Sequence, residues 1–197
     1  MGKIVANMNM TLDGVIQAPG RPDEDTRDGF RHGGWATPYF DAVMAQSAGE
    51  GMSKQFNLLF GRRTYEDFHS VWPKRTNNPF TDVLNRAQKY VVSNTLTEPL
   101  VWSNSTLLSG DAGATVARLK AESDTDLVIL GSAKLVQSLM RHNLIDEYNL
   151  SIHPLVLGSG RRLFVDETAY ATLTLVESKT SSTGVVMTTY RPAQTTA

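Results

Sequence analysis

The 197-residue chain has no cysteine. That excludes disulfides, thiolate metal sites and thiol nucleophiles, and it fits a reducing compartment, so a cytoplasmic protein is expected. The chain also has almost no net charge, with 19 Lys and Arg against 20 Asp and Glu. A nucleic-acid platform or an acidic tail would need a clear imbalance, so neither partner is expected. Long apolar runs are missing too. Nothing approaches the roughly 18 apolar residues of a membrane span, and "MGKIVANMNM" is too weakly apolar for a signal peptide. Gly2 is no myristoylation signal, because Ala6 stands where Ser or Thr is wanted. His32 and His69 are not spaced as metal ligands, and no metal site is expected. No linker rich in Gly, Ser, Pro or charge divides the chain, so one domain over residues 1–197 is expected.

What is present is an alternation of short apolar runs with helix-like stretches. "KIVANMNM", "FNLLFG", "KYVVSNT", "DLVILGSA" and "IDEYNLSIHPLVLG" read as strands, with "PLVWS" and "STLLSG" as shorter candidates. Helices are expected in the stretch opening at Thr37-Pro38, where Phe40, Val43, Met44 and Ala48 share a face, and in "RRTYEDF", "NPFTDVLNRA", "DAGATVARLKAES" and "KLVQSLMRHN". The last strands come without helices and read as a hairpin turning at Ser182-Thr183-Gly184. This order predicts an α/β fold with a mainly parallel central sheet flanked by helices and a C-terminal antiparallel hairpin. The polar segment Gln17–Gly34 is long for a loop in a compact domain, which suggests a lid or binding loop.

Three strands end in small or polar groups, at Gly61, Ser93 and Gly131. Ligands of open α/β sheets bind at such carboxyl ends. After Gly61 and Gly131 the chain runs straight into a helix, whose first turn offers free N–H groups and a positive dipole end. Arg62 and Arg63 oppose that dipole unless an anion lies opposite them. A phosphate-bearing dinucleotide would be such an anion, and a bidentate arginine contact would suit its phosphate. Solvated arginines, or arginines paired with Asp67, are the alternative. Neither Gly-x-Gly-x-x-Gly nor a P-loop motif is present.

The order of the pieces is more specific. Thr11-Leu12-Asp13-Gly14, the run Gly61-Arg62-Arg63-Thr64-Tyr65-Glu66, Val71-Trp72-Pro73 and the block Leu130–Phe164 together resemble the dihydrofolate-reductase-like superfamily. The resemblance is to the branch that holds the reductase domain of the riboflavin-biosynthesis enzyme and its stand-alone relatives. It covers nearly the whole chain. It implies a dihydrofolate-reductase-like fold and NADPH as cofactor, with Gly61, Arg62, Arg63 and Thr64 at its phosphates and Ser93 and Asn94 near its adenosine. Gly131, Ser132, Ala133 and Leu135 would line the pyrophosphate and nicotinamide ribose, and Ala6 and Asn7 would flank the carboxamide. No Asp or Glu lies between Val91 and Thr95 to hold a free ribose hydroxyl, which favours NADPH over NADH. A homodimer is also implied.

The implied activity is hydride transfer to a small heterocyclic (pterin-, folate- or pyrimidine-like) or carbonyl substrate, in a reaction related to 5-amino-6-(5-phosphoribosylamino)uracil reduction. Asp13, in the turn after the first strand, and Asp41, near a helix start, are the candidate catalytic acids. An Asx turn and a helix-dipole contact are their structural alternatives. Trp35, Tyr39 and Trp72 are candidates for an aromatic wall against the substrate ring. The Pro-Trp pair of dihydrofolate reductase and the Ala-Arg-x-Asp-x-His motif of the riboflavin-pathway reductases are both absent. An NADP(H)-binding sensor without turnover is the alternative function. The loop Gly158–Arg162 fits either a substrate phosphate or a solvated turn.

Overall fold

A computed structural model describes residues 1–165 and 170–193. Eight strands form one sheet: β1 (Ile4–Thr11), β2 (Asn57–Gly61), β3 (Lys89–Val92), β4 (Ser105–Leu108), β5 (Leu127–Leu130), β6 (Glu147–His153), β7 (Leu173–Thr180) and β8 (Val186–Pro192). Their order across the sheet is β4-β3-β2-β5-β1-β6-β8-β7. The first six are parallel to one another, and β8 and β7 are added antiparallel at the β6 edge. The parallel sheet with its terminal hairpin is the expected architecture.

Helical crossovers cover the central parallel strands, whose apolar residues are buried. On one face α4 (Ala112–Glu122) and α5 (Ala133–Arg141) cover Ile4, Ala6, Met8, Leu127 and Ile129. Helix α5 supplies Leu135, Val136, Leu139 and Met140, two adjacent pairs one turn apart. On the other face α2 (Arg62–Val71) and α3 (Pro79–Arg86) cover Leu58, Phe60 and Val91. Tyr65 fixes α2 there: its ring is buried and its hydroxyl accepts the Trp102 N–H at 2.8 Å. Lys89 is fully buried and donates to the carbonyls of Asn85, Ala87 and Ser103 at 2.8–3.1 Å, tying the end of α3 to the loop before β4.

Several expectations are corrected. Helix α1 (Ala42–Met52) starts later than the Thr37-Pro38 pair, which forms a separate 3-10 turn. Asp41 caps α1 by accepting the Met44 N–H, and Phe40, outside the helix, is 58 % exposed. "PLVWS" is no strand, because Trp102 is buried against Tyr65 and Phe60 instead. The strand through "SIHPLVLG" stops at His153. The segment Gln17–Gly34 is docked on its own domain. Gly34 and Ala36 donate to the carbonyls of Ala18 and Pro19, the Trp35 indole donates to Gln17, and Phe30 and Trp35 are buried with Val15 and Ala18. Arg21 carries the segment across to α2 through an ion pair with Asp67 at 2.5 Å. Such a loop, packed by its own side chains, is an Ω-type element.

Candidate functional site

Strands β2 and β5 are neighbours, so the helices that leave their carboxyl ends start side by side. Gly61 precedes α2, and Gly131-Ser132 precedes α5. The Ser132 hydroxyl accepts the Gly61 N–H at 3.0 Å. A Cβ placed on Gly131 would lie 3.7 Å from the Thr64 methyl, which is ordinary contact. The Gly131 N–H reaches across to the Asn7 carbonyl of β1 at 3.3 Å. Gly131 and Ser132 both have positive φ, 75° and 69°. For Ser132 the left-handed conformation costs about 1–2 kcal/mol, a cost typical of sites where backbone geometry serves a ligand.

Capping separates the helices into two groups. Asp41, Asn78 and Asp111 cap α1, α3 and α4 with their side chains. Neither α2 nor α5 has a side-chain cap. The two uncapped helices are the two whose starts meet at the carboxyl edge of the sheet. Their first-turn N–H groups, at Arg62, Arg63, Thr64, Ala133 and Lys134, have no carbonyl one turn back. The positive dipole ends therefore converge on one place. Arg62 makes only an i,i+4 contact with Glu66 at 3.6 Å, both side chains being 40 % or more exposed. Such a pair is worth little and leaves the guanidinium free to turn. Arg63 is exposed and has no ion pair among the described residues. Asp67 belongs to Arg21 instead. Lys134, exposed in the first turn of α5, adds a cation that the sequence reading did not single out.

Other residues expected at a cofactor are differently occupied. The Ser93 hydroxyl accepts the N–H groups of Thr95 and Leu96, and the Asn94 amide is locked to Gly110 through two bonds. The Leu135 side chain is in the core, and Ala6, whose implied contact runs through the β1 backbone, has a fully buried side chain. Asn7 stands beside Leu130 in the register, at the level of the Gly131 turn.

The two candidate acids have structural partners. Asp13 accepts from the Thr11 hydroxyl at 2.6 Å and from the N–H groups of Leu157 and Gly158, and Arg162 lies at 3.4 Å. Burial works to raise its pKa, but these hydrogen bonds outweigh it and hold the carboxyl at about 2. Asp41 accepts from the Ser182 hydroxyl and N–H as well as from Met44, and the Ser182 hydroxyl and these N–H groups hold it at about 2. Both are carboxylates at neutral pH. Asp13 staples the β1 turn to the loop after β6, and Asp41 ties α1 to the β7–β8 turn. In that loop after β6, Arg162 also donates to the Asp13 carbonyl and Arg161 pairs with Asp28.

The aromatic wall divides. Trp35 and Tyr39 both meet His153 edge-on, at 5.1 and 5.5 Å between centroids. Trp72 packs instead with Phe68 and Phe80 under Arg75, in the α2–α3 layer. His153 is fully buried, and burial pulls its pKa down to about 4, so the ring is neutral. Its Nε2 lies 3.1 Å from the Asn9 amide oxygen. Among the described residues, no three His, Asp or Glu side chains gather as a metal set, and no helix is long and apolar enough to cross a membrane.

Comparison with known proteins adds a family to this geometry. The model of the RibD C-terminal domain matches residues 2–187. The uncharacterized protein YyaP of Bacillus subtilis (strain 168) is 31 % identical over 137 residues, 68 % of this chain and 72 % of the relative. A pyrimidine reductase-like protein from Corynebacterium diphtheriae superposes with a TM-score of 0.68 at 11 % identity, over 98 % of this chain and 92 % of that one. Dihydrofolate reductase from Enterococcus faecalis, complexed with NADP(H) and RAB-propyl, gives a TM-score of 0.57 at 14 % identity, over 98 % of both chains. At these identities the two structures speak for the fold alone, which is dihydrofolate-reductase-like.

Proposed function

Because the chain belongs to the RibD C-terminal domain family, whose fold neighbours include reductases, we propose that it is an NADPH-dependent reductase of a small heterocyclic or carbonyl compound. The observation that carries this reading is the meeting of two uncapped helix starts beside two unneutralised arginines, at the carboxyl edge of the parallel sheet. A pyrophosphate would take the free N–H groups of α2 and α5 beside Lys134, and Arg62 and Arg63 would face the adenosine 2′-phosphate that distinguishes NADPH from NADH. When bound, the nicotinamide supplies a hydride to an unsaturated acceptor.

The chain's own residues bind and orient. The Gly131-Ser132 turn, held against Asn7 and Gly61, sets where the dinucleotide lies relative to β1. The docked loop Gln17–Gly34, tied to α2 through Arg21, would limit water at a bound nicotinamide, which favours hydride transfer. Solvent reaching the exposed Asn9 would supply the accompanying proton, Asp13 and Asp41 being ionised and His153 neutral. The test is consumption of NADPH, followed by absorbance, with a panel of oxidised pterins, folates, pyrimidines and carbonyl compounds. Consumption with at least one acceptor is expected. Tight NADPH binding without consumption would favour the sensing alternative.

The same reading includes a homodimer. Strand β7 is an edge strand, and Leu175, Val176 and Val186 are 51 %, 47 % and 37 % exposed. Such an edge in water invites pairing. Light scattering at micromolar concentration is expected to give about twice the 21.7 kDa of one chain, and the mass of a single chain would contradict it.

A further inference from the structure

Strands β1, β6 and β8 carry a polar row, which includes Asn7, Asn9, Asn149, His153 and Thr189. Asn9 is exposed and Asn7 partly so. Period-two alternation puts both β1 amides on one face, about 6.6 Å apart along the strand.

The hydrogen bonds in this row have a direction. The Thr189 hydroxyl donates to the Asn149 amide oxygen at 2.8 Å. The Asn149 amide nitrogen then donates to the Asn7 oxygen at 2.9 Å. The Asn7 NH2 has no partner among the described residues. The second chain starts at His153, whose Nε2 faces the Asn9 oxygen. The neutral ring carries one proton, and its Nδ1 is buried without a partner. A proton on Nε2 makes the Asn9 bond and leaves Nδ1 as a bare acceptor. The opposite tautomer would bury an unbonded N–H, the costlier arrangement. Nε2 is therefore the donor, and the Asn9 NH2 is left pointing away, again with no partner among the described residues. Trp35 and Tyr39 hold the ring in place edge-on. Both β1 amides thus have their oxygens occupied from behind and their donors free.

We infer that Asn9 and Asn7 form a donor pair that selects the acceptor substrate by its oxygen or ring-nitrogen acceptors, with His153 as the residue that fixes the orientation of Asn9. This rests on the reading that the cleft beside the Gly131 turn holds the hydride acceptor. A flat ring with carbonyl oxygens toward β1 fits the row, and the same ring with amino groups there faces four N–H bonds with its own. The carboxylates of Asp13 and Asp41 are bonded to Gly158 and Ser182 and are not free to receive amino groups here.

The experiment uses two rings of one shape, pteridine-2,4-dione and 2,4-diaminopteridine. Their affinities are measured by fluorescence, with and without NADPH, for the parent, Asn9→Asp, His153→Phe and His153→Gln. Asn9→Asp keeps an oxygen for His153 while replacing the free donor by an acceptor. The parent is expected to prefer the dione by at least about tenfold, and Asn9→Asp to reverse that preference by roughly 100-fold in the ratio. His153→Phe should bring the ratio toward one, and His153→Gln, whose amide can donate in place of Nε2, should restore it. Loss of packing alone would weaken both rings together and leave their ratio unchanged, which would overturn the inference. So would failure of both rings to bind a parent that binds NADPH. Discrimination between the rings by a protein that binds no NADPH would instead defeat the proposed function and leave this inference standing.

Discussion

Replacing Arg62 and Arg63 together by alanine is expected to weaken NADPH binding by roughly 100-fold while changing NADH binding by less than about threefold. Each charge-assisted bond is worth about 1.5–3 kcal/mol, and the two cofactors differ only in the phosphate these side chains would meet. Neither arginine has a buried carboxylate to satisfy: Arg62 touches only the exposed Glu66, and Asp67 is held by Arg21. Their loss should therefore leave the fold intact, and thermal unfolding of the double variant should match the parent. Added salt should erode the parent's preference, since exposed charges are screened at high ionic strength. Calorimetric titration at low salt reads all of this. Equal affinity of the parent for NADPH and NADH would remove the role assigned to these residues.

The second large effect is on stability. Asp13→Ala is expected to cost about 3 kcal/mol, because it strands the N–H groups of Leu157 and Gly158 and removes the Arg162 contact. For a chain of this length that lowers Tm by roughly 6–12 °C. Asp13→Asn keeps one acceptor and should fall between. The pH dependence has a definite sign. The folded carboxyl, at about 2, lies below the ordinary value of 3.8, so its contribution is complete above about pH 4 and is lost as pH falls through about 2. The Asp13→Ala variant should lack that acid-side decline, and comparison of Tm against pH for the two proteins measures it. A proton donor would behave differently: Asp13→Asn would leave Tm unchanged and abolish turnover.

These two cases show what the sequence could carry. The succession of strands and helices along the chain was legible because short apolar runs alternate with helical periodicity, and the glycines at 61 and 131 mark where the runs end. The arginines were legible as charges opposing a helix dipole. The caps were not. Ser132 stands where an N-cap would stand, yet its φ is 69° and its hydroxyl serves Gly61, 71 residues away. Likewise, an aspartate in a turn looks the same whether it is catalytic or structural. Only the partners distinguish them, and Asp13 finds Gly158 at a separation of 145 residues, while Asp41 finds Ser182 at 141. Thr37-Pro38 is a sound local helix signal, but Asp41 captures Met44 and moves the start. Trp102 is apolar for burial, not for a strand. His153 is a packed strand residue, and only its 3.1 Å contact with Asn9 shows what its packing holds.

The central claim is that the paired starts of α2 and α5 receive a dinucleotide phosphate. Titration of the 15N-labelled protein with NADPH addresses it directly, because those first-turn amides report individually. The account predicts that the backbone signals of Arg62, Arg63, Thr64, Ala133 and Lys134 shift most and together, whereas those of the side-chain-capped starts at Ala42, Phe80 and Ala112 stay in place. Shifts confined to other parts of the sheet, or none at saturating NADPH, would contradict it.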